Sequence, residues 1–224
     1  MHFCLFDIDG TLLNSGGAGQ AAMEAAFLAE FGFENPVEGL TTAGRTDRAI
    51  AADLFAFFGL EHDEDLHQRF VGAYLDRLPA ELARRDGLVL PGIPELLETL
   101  NDRSDVVLGL LTGNFRRGAQ IKLGHHQIDH YFDFGGFGDH HHDRDSVARD
   151  ALEEVRRRHD DDVEPDQVWI VGDTPADVQC GRAIEANVVA VSTGIYSHEQ
   201  LQAAEPDHLF ADFSDPASLL RLLK

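Results

Sequence analysis

Two aspartates, Asp7 and Asp9, are separated by one residue near the start of the chain, within the segment FDIDGTLLNS at residues 6–15. Alternate residues of an extended strand point the same way, so both carboxylates can face one site. Two carboxylates this close are costly unless a cation or a shared proton lies between them. Gly10 and Thr11 follow, which allows a tight turn with a hydroxyl group nearby. Alone, the segment could also be a turn with a capping aspartate.

A second strand-like segment, LLTGN at 110–114, ends in a hydroxyl residue and a glycine. It places the side chain of Thr112 and the backbone N–H group of Gly113 at a strand end. Free N–H groups and a hydroxyl at such a position suit a phosphate group. The alternative is a plain turn between a strand and a helix.

A third segment, WIVGDTPADV at 169–178, again reads as a strand followed by glycine and acids. Asp173 and Asp177 can add negative charge at the same sheet edge, although Asp173 could instead be a helix N-cap. Three strand ends of this kind in this order are improbable by chance. We therefore interpret them as parts of one site.

Short apolar runs mark the strands that would position these residues. The runs lie at 2–7, 105–111, 168–172 and 187–192, and helical patterns fall at 93–100, 115–124, 146–158 and 175–186. A further short strand near 207–211 and a last helix from 214 are also expected. Strands that alternate with helices predict an α/β fold with a parallel sheet covered on both faces. Ligands of such folds bind beyond the carboxyl ends of the strands.

The stretch between the first two strands differs, because it shows helical patterns only, near 18–31, 46–58 and 64–84. We predict that residues 16–86 form a helical insert on an α/β core made of residues 1–15 and 87–224. The glycine-rich segment 16–19 lacks the ending of a phosphate-binding loop, so we interpret it as a hinge into the insert.

The segments DIDGT, LTGN and GDTPAD resemble motifs I, II and IV of the haloacid dehalogenase superfamily. The layout is similar to the subclass with a C1 cap, which includes phosphoglycolate phosphatases and β-phosphoglucomutases. The resemblance implies a Rossmann-like parallel sheet flanked by helices, with an inserted all-helical cap domain. It also implies an Mg²⁺-dependent phosphatase that hydrolyses a small phosphorylated metabolite, such as phosphoglycolate or a sugar phosphate, through an aspartyl-phosphate.

The resemblance implies a role for each matching residue. Asp7 would attack phosphorus, and Asp9 would protonate the leaving oxygen and then deprotonate the hydrolytic water. Thr112 and the backbone of Gly113 and Asn114 would hold phosphoryl oxygens. A carboxylate nucleophile divides one difficult step into two, and a neighbouring acid can serve both.

The same resemblance implies that Mg²⁺ is bound by Asp7, the carbonyl group of Asp9 and Asp173, with Asp177 as a neighbouring support. Oxygen ligands of this kind suit Mg²⁺. Phosphoryl transfer depends mainly on positioning and charge neutralisation, which such a site would supply.

The chain departs from the family at motif III, which is usually a lysine, because no lysine occurs between 123 and 223. Arg144, in FGDHHHDRDSVARDAL, lies near the expected place, and Lys122 is the other candidate. We predict that Arg144 takes this role. Lys122 could alternatively be an exposed charge on a helix.

In the helical insert, the segment GRTDRAI at 44–50 is the part most expected to face the substrate. Arg45 and Thr46 are candidate substrate-binding residues. Thr46 is also a plausible helix N-cap, and Arg45 could be only a surface base. The three histidines at 140–142 are interpreted as a loop, because consecutive side chains rarely converge on one metal ion.

Forty acidic and eighteen basic residues give the 224-residue chain a formal net charge of −22. Such a field opposes binding to nucleic acid. Lysine occurs only twice, a composition typical of halophilic proteins, although an ordinary acidic cytoplasmic protein is the alternative. No apolar run approaches the ~20 residues of a membrane-spanning helix. We expect a cytoplasmic protein with no membrane partner, and the oligomeric state stays open.

A phosphomutase or phosphotransferase of the β-phosphoglucomutase type is the alternative function, because it needs the same two aspartates. The two functions differ in whether water or a second hydroxyl group reaches the aspartyl-phosphate. A dehalogenase is less expected, because that branch of the superfamily lacks the second aspartate, and Asp9 is present. A binding protein without catalysis would be expected to have lost one of Asp7, Asp9 or Asp173.

Overall fold

The computed structural model describes residues 1–32, 41–61, 63–159 and 162–223, and a parallel sheet lies at the centre of this part. The strands of the described residues are β1 (His2–Phe6), β2 (Leu13–Asn14), β3 (Leu88–Val89), β4 (Val106–Leu111), β5 (Gly135–Gly136), β6 (Val168–Gly172), β7 (Asn187–Val191) and β8 (His208–Phe210). Six of them form one sheet in the order β5-β4-β1-β6-β7-β8, and every neighbouring pair is parallel.

Helices cover both faces of this sheet, as an α/β fold requires. The helices are α1 (Ala18–Phe31), α2 (Asp47–Phe57), α3 (Glu64–Arg84), α4 (Ile93–Asn101), α5 (Arg116–His125), α6 (Arg144–Arg158), α7 (Pro175–Ala183), α8 (His198–Ala203) and α9 (Ala217–Leu220). The predicted α/β fold is therefore confirmed, with a Rossmann-like parallel sheet flanked by helices. No helix in the described ranges is long and apolar enough to cross a membrane.

The central strand β1 shows why the sheet is buried on both sides. Its alternate residues enter different hydrophobic clusters, with Cys4 and Phe6 on one face and Phe3 and Leu5 on the other. Successive side chains of a strand point to opposite faces of the sheet, so a strand buried on both faces must be apolar at every position. The sequence of β1 is such a continuous apolar run. Burial of such side chains contributes roughly 1.5–3 kcal/mol each relative to exposure.

The register of the sheet determines where the polar residues lie. Phe6 of β1 pairs with Leu110 of β4 on one side and with Val171 of β6 on the other. The residues that follow these three strands therefore emerge at the same edge. The N–H group of Asp7 continues the pairing by donating to the carbonyl group of Val171 at 2.9 Å.

Helices α1, α2 and α3 share a hydrophobic cluster that differs from the two clusters of the sheet. Its centre is aromatic, and the ring centroid of Phe27 lies 5.0 Å from those of both Phe55 and Phe70. Phe115, just before α5, is the buried residue outside these helices that joins this cluster. Residues 33–40 and 62 of the helical insert lie outside the described residues. The domain boundaries stay a prediction.

Some short elements did not follow from the sequence patterns. The antiparallel pair of β2 and β3 joins Leu13–Asn14 to Leu88–Val89, at the two ends of the helical insert. Strand β5 has only two glycines, and α8 has six residues. Elements this short contain too few residues to show the hydrophobic period of a strand (2 residues) or of a helix (3.6 residues).

Candidate active site

The polar residues that follow β1, β4 and β6 surround one cavity of about 310 Å³ at the carboxyl edge of the sheet. The helical insert forms its other wall. Of the residues singled out in the sequence, the following line the cavity: Asp7, Asp9, Arg45, Gly113, Asn114, Lys122, Arg144 and Asp173. Thr112 and Asp177 are buried beside it. Residues from distant parts of the sequence thus meet in one place.

Three buried carboxylates form a tight acidic cluster on the sheet side of this cavity. One oxygen each of Asp7, Asp173 and Asp177 lies within 4.8 Å of the others. The hydroxyl of Thr11 donates to Asp173 Oδ1 at 3.0 Å. Asp177 also accepts hydrogen bonds from the backbone and hydroxyl groups of Thr174, at 3.0 and 2.7 Å, in a capping box at the start of α7. Asp177 therefore has less free acceptor capacity than the other two acids.

Burial and mutual repulsion favour protonation in this cluster. Burial raises the pKa of Asp7 to about 6, with a further contribution from Asp177, while Arg144 opposes the rise. Burial, followed by repulsion from Asp177 and Asp7, raises the pKa of Asp173 well above its usual range. A cluster of acids whose charges are this unfavourable is a candidate site for a cation.

Arg144 is the first residue of α6, and its guanidinium group reaches the acidic cluster. It forms an ion pair with Asp177, lies 3.5 Å from Asp7 Oδ2, and donates to the carbonyl group of Leu111 at 3.4 Å. Burial alone would lower the pKa of Arg144, but Asp177 and Asp7 outweigh it, so the group stays charged. The geometry therefore places Arg144 against the nucleophile candidate, and its motif III role stays a prediction.

Asp9 also lines the cavity and accepts hydrogen bonds from three side chains. Ser15 Oγ donates to Oδ1 at 3.0 Å, and Asn114 Nδ2 and Lys122 Nζ donate to Oδ2 at 3.0 and 2.5 Å. Partial burial would raise the pKa of Asp9, but Lys122, followed by the hydrogen bonds, outweighs it and lowers the pKa. The ionised form of Asp9 is therefore favoured.

Lys122 lies on α5 with its side chain only 5% exposed. Its ammonium group also donates to Asn114 Oδ1 at 2.6 Å. The alternative that Lys122 is an exposed helix charge is wrong. The two candidate cations are divided between the two motif I acids, since Arg144 contacts Asp7 and Lys122 contacts Asp9.

The segment between β4 and α5, residues 112–115 (the β4–α5 turn), is closely packed. Thr112 Oγ1 accepts hydrogen bonds from the backbone and side-chain amides of Asn114, at 3.3 and 2.9 Å. A Cβ atom on Gly113 would lie 2.0 Å from the carbonyl oxygen of Arg45, so only glycine fits between this turn and the helical insert. The Thr112 hydroxyl also acts to lower the pKa of Asp7, which favours the ionised carboxylate.

Arg45 and Thr46, the two candidates from the helical insert, differ in position. Arg45 lines the cavity, but its guanidinium group is paired with Asp53 of α2. Thr46 is the N-cap of α2, accepting from the N–H group of Ala49 at 3.1 Å, and it donates to the carbonyl group of His141 at 2.7 Å. Thr46 is fully buried and lies outside the cavity lining, so its hydroxyl supports the helix start rather than the cavity.

The histidine segment at 140–142 forms a loop. His141 Nε2 lies 2.7 Å from Asp150 Oδ2. In the described part of the chain, no group of possible metal ligands includes these histidines.

Several residues of the cavity were given no role in the site from the sequence, although Asp47 lies in the segment 44–50 that was expected to face the substrate. They are Ser15, Asp47, Thr193, Gly194 and the side-chain amide of Asn114. Gly194 follows β7 and packs so closely on Asp173 that a Cβ atom would lie 1.7 Å from Oδ2. The segment VSTG at 191–194 repeats the pattern of a strand followed by a hydroxyl and glycine, and that pattern could have identified it.

The donor set around Asp7 and Asp173 fits Mg²⁺. All of the candidate ligands are oxygens, and Mg²⁺ in proteins is commonly held by one or two carboxylates together with waters and substrate phosphate. The close backbone approach of Gly10 and Gly194 to Asp173 keeps that carboxylate within the cluster, since a Cβ atom on Gly10 would lie 2.3 Å from Oδ2. Asp7, Asp173 and the carbonyl group of Asp9 are the candidate ligands, with Asp177 beside them.

The chain is similar to curated enzymes over most of its length. It is 29% identical to the phosphoglycolate phosphatase of Synechococcus elongatus, over 96% of this chain and 95% of that enzyme. It is 27% identical to the phosphoglycolate phosphatase of Salmonella choleraesuis, over 94% of this chain and 88% of that enzyme.

Solved structures share the fold at lower identity. A predicted phosphatase from Clostridium acetobutylicum has a TM-score of 0.73 and 21% identity, with 98% of both chains covered. A predicted phosphoglycolate phosphatase from Haemophilus somnus also has a TM-score of 0.73 and 21% identity, with 98% of this chain and 97% of that chain covered.

The family model for haloacid dehalogenase-like hydrolases matches residues 4–191, a range that contains Asp7, Asp9, the β4–α5 turn and Asp173. The matched range begins in β1 and ends at the last residue of β7. It therefore contains the acids and the hydroxyl that follow β1, β4 and β6, whereas Thr193 and Gly194 of the cavity lie just beyond it. On this match, which covers well over half of the sequence, the chain belongs to the haloacid dehalogenase-like hydrolase family.

Proposed function

We propose that this hydrolase is an Mg²⁺-dependent phosphatase that removes the phosphoryl group of a small metabolite through a phosphorylated Asp7. One observation carries the proposal. Asp7 lines the cavity with the guanidinium group of Arg144 3.5 Å from Asp7 Oδ2, and the Thr112 hydroxyl acts to lower the pKa of Asp7. A nucleophilic carboxylate beside a fixed cation and a hydroxyl donor is the arrangement that phosphoryl transfer requires. Asp9, which lines the same cavity, is the proposed general acid and base.

In the first step, a carboxylate oxygen of Asp7 forms a bond to phosphorus while the ester bond to the leaving oxygen breaks. The leaving oxygen takes a proton from Asp9, which must be protonated at that moment. Lys122 favours ionised Asp9, but the negative charge of a bound phosphate acts in the opposite direction and favours its protonation.

In the second step, ionised Asp9 takes a proton from water, and the water oxygen attacks phosphorus of the aspartyl-phosphate. The bond between phosphorus and Asp7 breaks, which releases inorganic phosphate and restores the carboxylate. The Lys122 ammonium group, 2.5 Å from Asp9 Oδ2, favours the ionised form that accepts this proton. Division of the reaction into two displacements lowers the barrier of each.

Mg²⁺ held by Asp7, Asp173 and the carbonyl group of Asp9 would neutralise negative charge on the phosphoryl group. Arg144 adds a fixed cation whose planar fork can contact a carboxylate and a phosphoryl oxygen together. Asp177 holds Arg144 by an ion pair, so its role in this proposal is to orient that arginine. The backbone of Gly113 and Asn114 would hold phosphoryl oxygens.

The helical insert, residues 16–86, would act as a cap domain over the core formed by residues 1–15 and 87–224. Its separate hydrophobic cluster and its position on the far wall of the cavity support this division. Arg45 is its cationic residue at the cavity and would contact the non-reacting part of the substrate. Its pair with Asp53 is exposed on both sides and therefore weak enough to exchange for a substrate group.

Phosphoglycolate is the first substrate to test, because the two curated relatives above carry the name phosphoglycolate phosphatase. Sugar phosphates are the next class. The decisive experiment is a screen of phosphorylated metabolites with the purified protein and Mg²⁺, in which released inorganic phosphate is measured with and without a chelator. No phosphate release from any substrate class, while the protein is folded and Mg²⁺ is bound, would disprove the proposal.

The same screen distinguishes the proposed phosphatase from the alternative, a phosphomutase of the β-phosphoglucomutase type. A mutase would transfer the phosphoryl group from Asp7 to a second hydroxyl and give an isomeric phosphate ester. Phosphorus NMR distinguishes that product from inorganic phosphate.

A further inference from the structure

Asp47, the first residue of α2, is a buried acid that the reaction proposed above does not use. It is 7% exposed and lines the cavity, although it does not belong to the acidic cluster of Asp7, Asp173 and Asp177. An acid in the first turn of a helix is ordinarily explained by the positive end of its own helix dipole. The hydrogen bonds of Asp47 lead instead to a different helix.

Both the backbone and the side chain of Asp47 contact the β4–α5 turn. The N–H group of Asp47 donates to the carbonyl oxygen of Gly113 at 2.7 Å. Its Oδ2 accepts from the N–H group of Phe115 at 2.8 Å. Phe115 is the N-cap residue of α5 and its side chain makes no capping hydrogen bond. Asp47 thus supplies, from the helical insert, an acceptor that the start of α5 does not supply for itself.

The turn that Asp47 contacts contains Asn114, which hydrogen-bonds to both Asp9 and Lys122. Asp9 and Lys122 are called the acid–base pair below. Asn114 Nδ2 donates to Asp9 Oδ2 at 3.0 Å, and its Oδ1 accepts from Lys122 Nζ at 2.6 Å. Lys122 lies on α5, the helix whose first residues follow this turn. A displacement of Phe115 would therefore move Asn114 directly and Lys122 through its helix.

Charge links Asp47 to the same pair. Asp9 and Asp47 are the two acids whose negative charge acts most strongly on the ammonium group of Lys122. The ammonium group therefore interacts with one carboxylate from the core and one from the helical insert. Loss of Asp47 would leave a buried cation with fewer opposing charges.

We propose that Asp47 is a positioning residue, which couples the docking of α2 on the β4–α5 turn to the placement of Asp9, Asn114 and Lys122. The acid–base pair is then complete only while the helical insert is docked. For its effect on turnover, this inference rests on the phosphatase function proposed above. The contact itself can be tested without turnover.

The test compares Asp47→Ala and Asp47→Asn with Arg48→Ala in the full-length protein. Arg48 is the matched control, because its guanidinium group donates to the carbonyl oxygen of Asp139 at 3.2 Å and pairs with Glu64 at 2.9 Å. Within the described residues, it makes no contact with the turn itself and is linked to α5 only through Asp139, whose Oδ2 accepts from the N–H group of Arg116 at 2.8 Å. Hydrogen–deuterium exchange of residues 112–118 reports the turn. Steady-state kinetics with the best substrate of the screen report its consequence.

We expect Asp47→Ala to speed exchange in this segment by about tenfold or more. It should also lower kcat and kcat/KM together by about tenfold or more, as for a group that acts on the reacting arrangement rather than on substrate binding. Asp47→Asn keeps an acceptor oxygen, so exchange should stay within about threefold of the wild type and kcat should recover most of the loss. Arg48→Ala should change neither quantity beyond about twofold.

Three results would overturn the proposal: unchanged exchange and kcat in Asp47→Ala, equal effects in Arg48→Ala, or an Asn variant as impaired as the Ala variant. If Asp47→Ala does not fold, Asp47→Ser gives the same comparison, because serine suits a helix start and is too short to reach the Phe115 amide. A wild-type protein that releases no phosphate would disprove the proposed function only, since the exchange experiment would still decide whether Asp47 holds the turn.

Discussion

The ammonium group of Lys122 lies 2.5 Å from Oδ2 of Asp9, so the second aspartate of motif I has a cation of its own. The first aspartate has a different one, because Arg144 contacts Asp7. Each acid is therefore matched with a base from a different helix. This arrangement allows the contributions of the two cations to be measured separately.

We predict that Arg144→Ala lowers kcat by about 10²–10³-fold, as when one donor to a transition state is removed. The guanidinium group lies beside Asp7, where negative charge gathers as the phosphoryl group is transferred. Arg144→Lys should recover part of the rate, because it keeps the charge and loses the planar fork. A mild effect of Arg144→Ala together with a severe effect of Lys122→Ala would assign the motif III role to Lys122.

Lys122→Ala should instead show a dependence on the leaving group. Lys122 holds Asp9, and Asp9 is needed most when the leaving oxygen is basic. We expect a larger loss of kcat with an alkyl phosphate than with p-nitrophenyl phosphate, whose leaving group departs without a proton. Equal losses with both substrates would show that Lys122 does not act through Asp9.

Asp7→Asn should abolish turnover and leave the fold intact. The amide is nearly the size of the carboxylate but is not a nucleophile, and Asp7 is enclosed at the end of β1, where the space is fixed. Circular dichroism and thermal unfolding provide the control for folding. Undiminished phosphate release by this variant would rule out Asp7 as the nucleophile.

Three polar residues at the carboxyl edge of the sheet could be identified from the sequence because each follows a strand directly. Asp7, Thr112 and Asp173 stand one residue beyond β1, β4 and β6, and parallel strands bring their carboxyl ends together. Local pattern and the general geometry of parallel sheets were therefore sufficient for this half of the site.

The other half depends on contacts between distant segments, which local patterns do not contain. Asp47 appears in the sequence as an ordinary acid at a helix start, and only the packing of α2 on the β4–α5 turn brings it to the Phe115 amide. Likewise, the pairing of Arg45 with Asp53 depends on how Arg45, two residues before α2, folds back along that helix. Burial of Lys122 depends on α1, since Gly19 packs against its side chain.

Salt should stabilise this protein. The formal net charge of −22 creates self-repulsion in the folded state, and the screening length falls to about 3 Å near 1 M salt. Salt also weakens exposed ion pairs such as Arg45–Asp53, but these contribute little. We predict a higher Tm in about 1 M potassium chloride than in dilute buffer. A Tm that is unchanged or lowered by salt would contradict a halophilic origin.

The stability of the metal-free protein should fall as the pH rises from about 4 to 7. The folded state raises the pKa of Asp7 to about 6 and that of Asp47 to about 7, in both cases chiefly by burial. Their unfolded value is 3.8, so the folded state binds more protons in this range. The stabilisation is complete below the unfolded pKa and is lost as the pH rises through the folded values. Asp9 adds no slope, because its lowered pKa leaves it ionised in both states.

Mg²⁺ should oppose this loss, because the cation neutralises the same acids that protons neutralise at lower pH. We expect the increase in Tm on addition of Mg²⁺ to be larger at pH 8 than at pH 5.5, since protons compete with the metal. Measurements in about 1 M potassium chloride remove most of the effect of net charge.

Asp47→Asn should flatten the metal-free profile and retain the Mg²⁺ response, whereas Asp173→Asn should diminish the Mg²⁺ response. A metal-free Tm that rises with pH would show that the acids of the cavity are not held in a protonated state by the fold.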